Sequence, residues 1–109
     1  MLLLLTVLIV MALSATADAA DSAEACRQKL IQAQQIEVLV DLDWKPPKEP
    51  KVVVGSTFPR MPFDAKEGFA RTVNCFLLAG TDRFVNFDIL DHLNHRVLGR
   101  WEYGRLKMK

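Results

Sequence analysis

Residues 21–44, DSAEACRQKLIQAQQIEVLVDLDW, change their hydrophobic period part-way along, and that change sets the fold class. Cys26, Leu30 and Ala33 recur at helical spacing among the polar residues Arg27, Gln28, Lys29, Gln32 and Gln34. Asp21 stands where an N-cap belongs, and Glu24 three residues on completes a capping box. The spacing predicts an amphipathic helix over residues 22–34 with Cys26 on its apolar face. From Ile36 the beat becomes two. Ile36, Val38, Val40, Leu42 and Trp44 alternate with Glu37, Leu39, Asp41 and Asp43, the pattern of a half-buried strand.

Toward the C-terminus, residues 45–50 (KPPKEP) cannot extend that strand, because three prolines remove donors and fix φ. They read as a polar, semi-rigid connection. Val52, Val53 and Val54, closed by Gly55, predict a second strand, and residues 57–62 with two prolines read as irregular. Asp64 to Glu67 repeats the capping-box spacing and opens a second helix. Its predicted apolar stripe is Ala65, Phe69, Val73, Phe76 and Leu77, with Gly80 as C-cap and Cys75 on the stripe's flank. Cys75 is thereby directed at the first helix rather than at the sheet.

The last third reads as a hairpin. Val85, Phe87 and Ile89 alternate with polar or outward residues, Asp91 to His95 supplies the turn, and Val97, Gly99, Trp101 and Tyr103 resume the alternation. After Gly104 the phase flips to Leu106 and Met108, which reads as a bulge or bend. The expected order is α-β-β-α-β-β. That is a small single α+β domain: an antiparallel sheet of about four strands with two helices stapled by a disulfide.

Toward the N-terminus, Leu2 to Leu13 (LLLLTVLIVMAL) is apolar apart from Thr6 and runs into small residues. Ala15/Ala17 and Ala17/Ala19 satisfy the small-residue rule of signal peptidase, so residues 1–19 read as a signal peptide cleaved after Ala17 or Ala19. Residues 20–109 then form the mature domain. The n-region lacks Lys and Arg, which keeps an uncleaved membrane anchor as the alternative. Against it, the apolar run is about 12 residues where a spanning helix needs roughly 20. The expected location is therefore exported, periplasmic or secreted.

Export decides the chemistry of Cys26 and Cys75, the chain's two cysteines. In an oxidising compartment a distant pair reads as a structural disulfide; redox-active pairs are usually close in sequence. Closing a loop of about 50 residues stabilises a small fold by roughly 4 kcal/mol in the chain-entropy treatment.

The remaining chemistry is sparse. The leader removes Asp18 and no base, leaving 14 basic residues against one fewer than 13 acids, a balance that gives no reason to expect nucleic-acid binding. Asp91, His92 and His95 form the one cluster resembling metal ligands, but Asp, Asn and His also belong in turns, and the turn is the preferred reading. Asp41 and Asp43 share a strand face and read as solvated rather than as an acid–base pair. No G-x-S-x-G occurs, and no cofactor motif is present. The C-terminal bases Arg96, Arg100, Arg105, Lys107 and Lys109 are opposed by Glu102 and interleaved with Trp101 and Tyr103. Arg96, Arg100, Arg105 and Lys107 are the candidate partner-binding residues, although Trp101 and Tyr103 as core with solvated bases is the plainer reading. The expected function is a non-catalytic exported module that binds a protein or envelope component, with a membrane role only if the leader is uncleaved. A secreted enzyme inhibitor or immunity-type protein presenting residues 45–50 or 57–62 is the alternative, and a small hydrolase or metal-dependent enzyme comes third.

Overall fold

The computed structural model describes residues 18–79 and 83–109. Helix α1 (Asp18–Gln35) leads into strands β1 (Leu39–Asp43) and β2 (Lys51–Val54). A single 3-10 turn (Phe58–Arg60) precedes helix α2 (Phe63–Leu77), and strands β3 (Phe87–Asp91), β4 (Val97–Glu102) and β5 (Arg105–Met108) follow. The strands form one sheet in sequence order. The α+β class, the two helices and the disulfide between them are as expected. Residues 1–17 of the expected leader and the expected Gly80 cap lie outside the described residues. Among those described, no helix is long and apolar enough to cross a membrane.

The sheet is mixed rather than antiparallel, because β2 and β3 run parallel. Their connection contains α2, which carries the chain back to the end from which β2 started, as parallel neighbours require. The sheet also has five strands rather than four. Tyr103 and Gly104 both have positive φ (51° and 78°) between the paired residues Glu102 and Arg105. That is a two-residue hairpin loop of the primed type, and it turns the phase flip into a new strand.

The first strand starts later than its alternation implies. Glu37 has φ 61°, its N–H donates to the Gln34 carbonyl at 3.3 Å, and the Val38 N–H donates to the Ala33 carbonyl at 2.9 Å. This Schellman closure uses Ile36 in the helix end and seats Val38 against Ala33. Ile36 is therefore 61% exposed. A register shift between Leu39 and Asp41 then turns Val40 outward, so Val38 and Leu39 are both buried.

Both helices differ in detail from the pattern. Helix α1 begins at Asp18, with Asp21 inside it, and passes through the expected cleavage point at Ala19. Helix α2 starts at Phe63 after an extended Pro62, without a side-chain cap, and Asp64 sits in its first turn. Its buried face is Phe69, Ala70, Val73 and Asn74, while Phe76 is exposed. The expected irregular segment at 57–62 holds the 3-10 turn, whose Phe58 is fully buried edge-on to Phe69, centroids 5.8 Å apart.

The core lies between the helices and one sheet face. Rows run across the strands: Phe87, Trp101 and Leu106 form one, and Leu42, Val52, Ile89, Gly99 and Met108 another. Trp101 stacks on Phe87 at 6.3 Å between centroids. Asn74 is the buried polar residue of this layer. Its Nδ2 donates to the Arg83 carbonyl (3.0 Å), and its Oδ1 accepts from Val85 N–H (2.9 Å) and Trp101 Nε1 (3.1 Å). One amide thus ties α2 to the approach to β3 and to β4. The Cys26–Cys75 disulfide, 49 residues apart in sequence, joins α1 to α2 as the helical phase of Cys75 predicts.

Candidate functional site

The helices leave the opposite face of the sheet uncovered, and the register places a charged row across it. Asp43 pairs with Lys51, Lys51 with Asp88, Asp88 with Arg100, and Arg100 with Lys107. Side chains opposite one another on neighbouring strands are close enough to interact, and within this row Arg100 and Asp88 close to 3.0 Å. Beside it Asp41, Val53 and Leu90 form a second row, in which Val53 and Leu90 are buried despite facing outward. Asp41, Asp43, Lys51, Asp88 and His95 surround them to make an open cleft of about 470 Å³.

Arg100 is the hub of this face. Its Nη1 and Nη2 donate to the two oxygens of Glu49 at 3.0 and 2.9 Å, Nη1 also donates to Asp88 at 3.0 Å, and Nε donates to Glu102 at 2.9 Å. The planar fork suits such multidentate pairing, as an ammonium group would not. Glu49 and then Glu102 and Asp88 hold the guanidinium above its usual range. In turn, Arg100 and then Lys107, whose Nζ lies 3.4 Å away, hold the Glu102 carboxyl below its usual value of 4.5. Glu49 belongs to the proline-rich connection, so the network also ties that loop to β4. Trp44 Nε1 braces the same loop from within by donating to the Lys48 carbonyl at 3.1 Å.

The four candidate binding bases are not equivalent. Arg100, Arg105 and Lys107 share the open face through the pairing of β4 with β5. Arg100 is occupied by three carboxylates and Lys107 by one, whereas Arg105 has no acidic partner among the described residues. Arg96 stands apart. A register shift at Leu98 breaks its alternation with Arg100, and its backbone closes the β3–β4 turn.

That turn is built by its Asp and Asn side chains. Asp91 Oδ2 accepts from the N–H groups of Leu93 and Asn94, and Asn94 Oδ1 accepts from Arg96 N–H. His95 takes φ 58°, and His92 Nδ1 is buried without a hydrogen bond, 3.8 Å from Asp91 Oδ1. Among the described residues no three His, Cys, Asp or Glu are grouped to hold a metal. Both thiols lie in the disulfide, and Ser56 donates to Glu37.

Two features escape the alternation. Trp101 is core as the plainer reading has it, but Tyr103 is 77% exposed at the tip of the β4–β5 hairpin. Phe84, 59% exposed, lies over Gly104, where a Cβ would sit 2.8 Å from the Phe84 ring. The Asn86 side-chain oxygen fastens the tip by accepting the Tyr103 N–H at 3.0 Å. The glycine and the phase flip are the sequence signal for this hairpin. Nothing in the sequence pairs Phe84 with its tip. Against known protein families, curated proteins and solved structures, the chain finds no match.

Proposed function

We propose that this chain is an exported, non-catalytic binding module that engages a protein or envelope component through the side of its sheet that the helices leave open. The reading rests chiefly on the one-sided covering of the sheet, which leaves a charged row, a shallow cleft and a hairpin with an exposed aromatic tip. Interfaces favour this combination of Tyr, Phe and Arg. Export is supported by the leader pattern and by a disulfide, which oxidising compartments sustain.

Photo-crosslinking in the exported fraction tests it. A crosslinker at Lys107, on the open face, is expected to trap one discrete species, whereas one at Gln28 on the helical side traps none. Equal or diffuse labelling from both positions refutes the reading. N-terminal sequencing of the same fraction is expected to begin at Asp18 or Ala20.

The braced loop at residues 45–50 favours a second reading, a secreted inhibitor or immunity-type protein. Trp44 and Glu49 hold its exposed part, residues 45–49, as a loop inserted into a partner's cleft requires. Loss of inhibition of lysozyme or of a secreted toxin on replacing Pro46 and Pro47 with Ser would favour it over the first.

A further inference from the structure

We infer that the β4–β5 hairpin tip is the docking point for an acidic polypeptide segment that carries apolar side chains. This deepens the binding-module reading and rests on it. The tip presents Tyr103 and Phe84 as an exposed aromatic ledge, and Gly104 leaves the space that the Phe84 ring fills. Tyr103 holds φ 51°, a conformation that this type of turn normally reserves for Asn, Asp or Gly. A bulky aromatic in that position gains no core burial, so its own packing does not account for it.

Charge identifies the partner. Arg83 and Arg105 flank the ledge, both exposed and both without an acidic partner among the described residues. Among the described residues, the acid paired across the hairpin from Arg105 is Glu102, and it is already bound by Arg100 and Lys107. The strand directions bring the proline loop to the same end of the sheet, where it adds exposed Lys45 and Lys48. Cations that meet no carboxylate among the described residues, set around an aromatic anchor, complement a segment in which acids alternate with apolar side chains. Arg105 and Arg83 would take the carboxylates, and Tyr103 with Phe84 would take the apolar group.

The test uses the full exported chain with its disulfide and a short fluorescein-labelled peptide alternating Glu with Leu. Fluorescence anisotropy is expected to show binding that weakens with salt. Amide shifts in the labelled protein are expected to concentrate at residues 83–86 and 102–106. Tyr103→Asn and Arg105→Gln should each weaken binding about tenfold, and Arg96→Gln at the other end of the sheet should not. Asn suits the turn, so Tyr103→Asn keeps the fold. Equal binding of the matching Lys–Leu peptide, tighter binding of heparin, or indifference to Tyr103→Asn overturns the inference. If a partner crosslinks to Lys107 yet binds Tyr103→Asn at full strength, the module reading stands and this docking point falls.

Discussion

Replacing Asn74 by Ala strands three groups at once. The Arg83 carbonyl, the Val85 N–H and the Trp101 Nε1–H all bond to this one side chain, which is 5% exposed. A net contribution of about 1 kcal/mol per hydrogen bond gives a loss of about 3 kcal/mol, with more if water cannot reach the stranded donors. At about 4–8 °C per kcal/mol for a domain of this size, the midpoint should fall by roughly 12–24 °C. Thermal and urea unfolding followed by circular dichroism and tryptophan fluorescence measure both quantities. A double-mutant cycle isolates the indole. In a Trp101→Phe background the same substitution should cost about 1 kcal/mol less, because one of the three partners is already gone. A loss below about 0.5 kcal/mol, the usual range of surface changes, would refute the assignment of Asn74 as the tie between α2 and the sheet.

Other substitutions probe the remaining elements. Replacing Cys26 and Cys75 by Ser should lower stability by about 4 kcal/mol in urea, since the closed loop spans 49 residues; a change under about 1 kcal/mol would show that the staple is dispensable. Tyr103→Asn should raise stability by about 0.5–1 kcal/mol by relieving the left-handed conformation, whatever it does to binding; a fall in midpoint would contradict this. Arg100→Gln should destabilise at neutral pH by about 1–2 kcal/mol, because it abandons three carboxylates. Glu102 has its folded pKa depressed, so its contribution is present above the ordinary value of 4.5 and disappears as pH falls through the lowered one. The gap between the parent and Arg100→Gln should therefore close in acid. A gap that persists there would point to packing of the Arg stem instead.

Local signals carried much of the fold. The change of period near Ile36 separates α1 from β1, and the flank position of Cys75 correctly directs it to α1, because both depend on neighbours within a few residues. What failed was non-local. The parallel pairing of β2 with β3 depends on where α2 returns the chain, and no residue in either strand encodes it. Val40 and Leu98 break strict alternation through register shifts that arise only when partner strands are present. Asn74 has no role legible in the sequence until Trp101 and Arg83 are brought to it. The charged row from Asp43 to Lys107 combines five strands, so the sequence shows scattered charges where the fold makes a line.

That line bears on the proposed docking point. A charge that already has a close opposite neighbour must give up that contact before a ligand gains anything from it, so pairing within the chain lowers the return on binding there. Arg100 holds Glu49, Asp88 and Glu102, and Lys107 holds the remaining oxygen of Glu102. The part of the open face around Arg100 is therefore satisfied within the chain. Arg105 and the exposed Tyr103 lie just past the end of this network, and no carboxylate among the described residues pairs with Arg105. On the proposed reading, the network helps fix the scaffold, as the disulfide does, and leaves the hairpin tip open to a partner.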